Sequence, residues 1–152
     1  MKTQTLFALL CVACLHASAQ SSKPPVNEPD YNKRKVFADL PDRMNFRIAD
    51  AEALLDLAEG TTVNAMVANG FVLKGTVISK SNPADSSVRS IVLKSTNRQG
   101  LTFTFSRIKK ADGSLAYRGR LLGKNAGDAL EIVKDGGAYV MQKKGYYELI
   151  NE

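Results

Sequence analysis

From Thr61 to Lys143 apolar and polar residues alternate along the chain, and short glycine-containing breaks punctuate the alternation. Leu101-Thr102-Phe103-Thr104-Phe105 is the cleanest stretch. Successive side chains of a strand point to opposite faces, so this pattern predicts strands with one buried face. Val63–Ala68 and Phe71–Ser79 flank Asn69-Gly70, a hairpin signal in which both turn residues are expected at positive φ. Val88–Ser95, Leu101–Phe105, Leu115–Leu122, Ala129–Lys134 and Ala138–Lys143 continue the series. Their turns fall at residues 97–100, Asp112-Gly113 and Asp135-Gly136-Gly137. Such short connections force antiparallel neighbours, because parallel pairs need crossovers of about a dozen residues or more. The expected fold is mainly β, an antiparallel meander of about seven strands forming a partial barrel or a sandwich.

One segment switches to a helical period. Ala51, Leu54, Leu55 and Ala58 recur at i, i+3, i+4 and i+7. Asp50 is a suitable N-cap, Glu52 suits the first turn, and Gly60 suits the C-terminal cap. One N-terminal α-helix over residues 50–59 is predicted, covering a face or an open end of the sheet. The tail, Tyr146 to Ile150, reads as a short helix or a last strand.

The first residues follow a different logic. Lys2 precedes an apolar run from Leu6 to Leu15, and Ala17-Ser18-Ala19 is a small-residue cleavage site. This is the layout of a secretory signal peptide over residues 1–19. The run is too short to span a bilayer, which takes about 20 residues, and no other stretch qualifies as a transmembrane segment. Cys11-Val12-Ala13-Cys14 resembles a lipoprotein cleavage box with Cys11 where Leu is expected. The expected location is therefore secreted or periplasmic, with an outer-membrane lipoprotein anchored at Cys14 as the alternative. Residues 20–35 are proline-rich and poor in apolar residues, the composition of a disordered linker. A single β-rich domain is expected over residues 36–152.

The leader carries away more than an address. The only cysteines are Cys11 and Cys14, and the only histidine is His16. Cleavage after Ala19 leaves no disulfide, no thiol and no imidazole. Cys–His and Ser–His–Asp chemistry is excluded, and so are most zinc sites. No cofactor or metal is implied. Gly119-Arg120-Leu121-Leu122-Gly123-Lys124 fails as a phosphate loop, with one residue too few and no helix after it. Ser106-Arg107-Ile108-Lys109 matches Ser-x-x-Lys, but an offset of three on a strand separates Ser from Lys. The carboxylate pairs Asp39 with Asp42 and Asp128 with Glu131 read as solvated surface rather than hydrolase machinery. Asp112-Gly113 and Asp135-Gly136 are turns, not calcium loops. The expectation is a protein that is not an enzyme.

Charge then narrows the options. Between Phe71 and Gly127 there are eleven Lys and Arg against two acids, Asp85 and Asp112. A concentrated positive field attracts anionic partners without naming them. If Asp112-Gly113 is a two-residue turn, Arg107 faces Arg118, Phe105 faces Arg120 and Lys109 faces Ala116. Arg107, Lys109, Arg118 and Arg120 then share one face. Like charges directly opposite destabilise a sheet, so either the register is bulged or an anion sits on that face, the plainer reading being a solvated outer face with splayed side chains. The chain has no tryptophan, leaving Tyr117, Tyr139, Tyr146 and Tyr147 for any stacking platform. No nucleic-acid-binding pattern is present, and nucleic acid is not an expected partner.

Lys74-Gly75-Thr76-Val77 followed by Asp85-Ser86-Ser87-Val88 is faintly similar to β-rich propeptides of secreted metalloproteases. The gap between the two pieces is longer than that pattern has, and the functional reading does not rest on it. The leading expectation is an exported binding module for an anionic envelope polysaccharide or an acidic protein surface. One alternative is a protein–protein module, an inhibitor or assembly factor, pairing through an exposed edge such as Ala138 to Lys143, and the other is a carboxylate-based hydrolase.

Overall fold

The computed structural model describes residues 30, 32–82 and 84–150. The expected signal peptide, Cys14 and most of the expected linker lie outside the described residues. The fold is mainly β, with eight antiparallel strands in one curled half-barrel sheet and two short helices. In chain order these are β1 (Arg43–Asn45), α1 (Ile48–Leu54), β2 (Thr62–Ala68), β3 (Phe71–Lys80) and β4 (Val88–Ser95). Then follow β5 (Thr102–Lys109), β6 (Leu115–Leu122), β7 (Asp128–Asp135), β8 (Ala138–Gly145) and α2 (Tyr146–Ile150).

The strand beyond the expected seven is β1. It is three residues long, with only Met44 buried, too short for an alternation to register. It pairs with Val140–Gln142 on β8, whose other side pairs with β7. The stretch from Ala138 to Lys143 is therefore an interior strand, not the free edge expected from sequence. Asn45 to Arg47 then cross to β2. Phe46 donates its N–H to Tyr139 O at 3.1 Å, and Arg47 donates to Val67 O at 2.9 Å. The bridge between Phe46 and Ala68 brings the two outer strands of the sheet together at that point.

The helix is shorter than its apolar period. It starts at Ile48, which leaves Asp50 in the first turn, paired with Arg47, rather than at the cap. After Leu54 the chain tightens into i→i+3 bonds: Leu55, Asp56 and Leu57 N–H bond to Glu52, Ala53 and Leu54 carbonyls. Ala58 is exposed, so the helical face ends at Leu55, and Gly60 instead donates to Val77 O. At the Asn69-Gly70 turn only Gly70 has positive φ, and β2 carries a compensating irregularity between Met66 and Ala68.

The concave face is filled by aromatic and aliphatic side chains. Phe103 and Phe105 stack with centroids 6.3 Å apart, Phe105 stacks on Tyr117 at 6.0 Å, and Phe46 tilts against Phe105. Leu73, Ile91, Leu93, Leu121 and Leu130 complete this core and are fully buried. Gly119 sits where β5, β6 and β7 come closest. A Cβ there would lie 2.5 Å from Ile132 Cδ1 and 2.8 Å from Thr104 O.

Residues just before Val36 bond to the loop between β6 and β7. Gly127 N–H bonds to Arg34 O at 2.9 Å, and Lys33 Nζ bonds to Lys124 O at 2.8 Å. The buried Asp128 carboxylate accepts the N–H of Val36 at 2.6 Å and of Phe37 at 3.1 Å. Replacing Asp128 by Ala strands one buried and one part-buried donor, so Asp128→Ala should cost about 1–3 kcal/mol in urea unfolding. The Val36 and Phe37 amides should exchange faster in the same variant. An unchanged midpoint with unchanged exchange would refute the clamp.

Candidate ligand-binding cleft

The central hairpin decides where the basic residues point. Its turn has three residues, not two. Lys110 N–H bonds to Ser114 O at 2.9 Å, Gly113 N–H bonds to Lys110 O at 3.0 Å, and Gly113 has φ of +81°. Asp112 Oδ1 accepts from Ser114 N at 2.9 Å and Ser114 Oγ at 2.7 Å, which holds its carboxyl below the usual range. This geometry matches a type I turn followed by a left-handed residue.

The extra residue shifts the register by one. Arg107 pairs with Tyr117, Phe105 with Gly119, Ser106 with Arg118, and Lys109 with Leu115. Because the side-chain period is two, that shift moves half of the basic set to the other face. Arg107 and Lys109 share the concave face with Phe103 and Phe105, whereas Arg118 and Arg120 point outward. The four expected ligand residues therefore do not form one patch.

Arg107 is spent on the fold. It lies directly opposite Arg89 of β4 on the concave face, a like-charge pair that α1 and the turn after it neutralise. Arg89 Nη2 donates to Leu55 O at 2.9 Å and to Asp56 Oδ1 at 2.7 Å. That contact holds the Asp56 carboxyl below its ordinary range. Arg107 Nη1 sits 3.5 Å from Glu52 Oε1, which also accepts the Tyr117 hydroxyl at 2.9 Å. Burial first, and this Glu52 contact second, push the Tyr117 phenol up to about 12. The helix and the turn after it thus cap one mouth of the half-barrel with the counter-charges that mouth needs.

Arg118 and Arg120 lead to a different place. β6 and β7 pair only at Gly119, Arg120 and Leu121 against Ile132, Glu131 and Leu130. Beyond Gly119 the strands part and leave an open cleft of about 690 Å³. Tyr117 and Tyr139 meet edge to face at 5.3 Å, and the Tyr139 hydroxyl accepts the Tyr117 N–H at 3.1 Å. A side chain thus takes the place of the missing main-chain partner. Arg120 Nε and Nη2 both donate to Glu131 Oε1, at 3.2 and 3.0 Å, and Lys144 Nζ lies 3.1 Å from Glu131 Oε2. The one acid in the cleft wall is fully engaged.

Arg118, Lys110 and Lys134 also line the cleft and are exposed. Among the described residues none of the three makes an ion pair. Every buried side-chain nitrogen and oxygen described has a hydrogen-bond partner. The unspent charge of this region therefore lies at the cleft surface.

The candidate carboxylates go elsewhere. Asp39 binds Arg98 through both oxygens, which holds its carboxyl below the usual range, and Asp42 pairs with Lys143. Asp128 clamps the N-terminal segment, and Glu131 neutralises two cations. Among the described residues no group of three or more His, Cys, Asp and Glu could hold a metal ion. Sequence reasoning missed the parting of β6 and β7 and the Tyr117–Tyr139 contact. Gly119 inside a strand was the available signal, since such a glycine marks a close backbone approach. Comparison with known protein families, curated proteins and solved structures finds no match.

The Tyr117 environment gives a test by pH. The folded value lies above the unfolded value of about 10, so its contribution to stability is complete below that pH and is lost as pH rises toward about 12. A phenolate absorbance titration should show one tyrosine lagging the others. Glu52→Gln should lower its midpoint while burial still holds it above the rest. Tyrosines titrating together would contradict this placement.

Proposed function

We propose that this protein is a non-enzymatic, exported binding module that holds an anionic ligand in the β6–β7 cleft. The observation that carries the reading is the convergence of Arg118 and Lys134, neither in an ion pair among the described residues, with Lys110 beside Asp112, on a cleft whose wall acid Glu131 is already neutralised. Of the residues favoured by sequence, Arg118 contacts the ligand and Arg120 braces the wall. Arg107 and Lys109 belong to the other face. Export rests on the leader at residues 1–19. An envelope polysaccharide or an acidic protein surface has the complementary charge, and guanidinium suits carboxylate, phosphate or sulfate.

The test is retention on heparin, as a model polyanion, across a salt series. Arg118→Ser with Lys134→Ser should weaken binding by roughly tenfold at low salt, from two partly screened contacts. The control removes the same charge elsewhere, Lys74→Ser with Lys94→Ser on exposed positions of β3 and β4. Equal loss from both doubles would reduce the effect to net charge and sink the cleft as the site.

A further inference from the structure

Main-chain geometry says more about the ligand than charge does. We infer that the cleft takes an extended acidic polypeptide segment, which adds to β6 as a strand. This inference rests on the anion-binding reading above and narrows its ligand class.

Three observations converge. First, β6 has a free edge four residues long, Leu115 to Arg118, where the ladder to β7 has stopped. The Tyr117 N–H points toward β7, as its bond to Tyr139 shows, and strand alternation aims the main-chain groups of Leu115 the same way. An unpaired strand edge is a template for an incoming strand. An incoming strand replaces the Tyr139 hydroxyl as the acceptor for the Tyr117 amide. Second, Arg118 stands on the outer face with no carboxylate opposite, because the pairing that gives Arg120 its Glu131 ends one residue earlier. Third, Leu115 is 45% exposed on the other face of the same strand and lines the cleft together with Tyr117 and Tyr139.

The two faces of β6 therefore ask for different side chains. A strand laid along Leu115–Arg118 presents alternate residues to each face. The residue beside Arg118 should be acidic, and its neighbours beside Leu115 and Tyr117 should be apolar. An acidic–apolar alternation fits this edge. A polysaccharide satisfies the cations but supplies no regular main-chain donors for β6.

The probe is the capped peptide acetyl-Val-Glu-Val-Asp-Val-amide, titrated into the mature protein. Two isomers are compared, one N-methylated on its first and third residues and one on its second and fourth. Only the amides facing β6 are needed, so the isomers should differ by roughly tenfold or more in Kd, the loss of one to two hydrogen bonds. Arg118→Ser should weaken the unmethylated peptide and reduce its salt dependence. Equal binding by both isomers overturns strand addition, because only side chains are then being read. Heparin binding without peptide binding also overturns it and leaves the anion site standing. Binding of neither probe overturns both.

Discussion

The three-residue turn at Ala111–Gly113 fixes which side chains of the central hairpin face the core and which face water. Gly113 in the left-handed region, with Asp112 holding Ser114, sets the pairing of Arg107 with Tyr117. Everything functional in the sheet follows from that register. Tyr117 comes inward to stack on Phe105 and meet Glu52. Gly119 lands where β7 approaches closest. Arg118 and Arg120 are left outside. A shift of one residue would bury Arg118 beside the phenylalanines, where an unpaired guanidinium is far too costly.

Two consequences of that register oppose each other along β6. At Gly119 the absent side chain lets β7 close against the sheet, and at Tyr117 the main-chain ladder has ended and the Tyr139 hydroxyl stands in for a β7 partner. The Tyr139 hydroxyl is what makes the parting tolerable, because a half-buried N–H left without an acceptor costs about 1–3 kcal/mol. On the concave face Arg107 and Arg89 are covered by α1 and the turn after it, through Glu52, Asp56 and the Leu55 carbonyl. The sheet thus has a sealed basic end and an open basic cleft. Exposed surface pairs such as Arg43 with Asp135 contribute little beside these, since screened ion pairs are worth at most about 1 kcal/mol.

Much of the fold was legible in sequence because it depends on local patterning. The strands from Thr62 to Gly145, their antiparallel order and the presence of an early helix all follow from period and turn chemistry. What was illegible depends on one-residue differences or on distant partners. Asp-Gly serves two-residue and three-residue turns alike, so the basic face could not be assigned without the observed hydrogen bonds. β1 exists through its pairing with β8 and carries no alternation of its own. The helix stops at Leu54 although its apolar period runs to Ala58, because the chain must turn back toward β2. Arg118 and Arg120 were singled out on charge alone. The cleft beside them arises from Tyr139, twenty-one residues along the chain from Arg118, which no local pattern links to it.

Main-chain hydrogen exchange along β6 tests the parted sheet most directly. The account predicts strong protection for the Gly119 and Leu121 amides, rapid exchange for Leu115, and intermediate protection for Tyr117 that is lost in Tyr139→Phe. Protection of Leu115 and Tyr117 equal to that of Gly119, unchanged by Tyr139→Phe, would mean that β6 and β7 pair along their whole length, and the cleft would not exist.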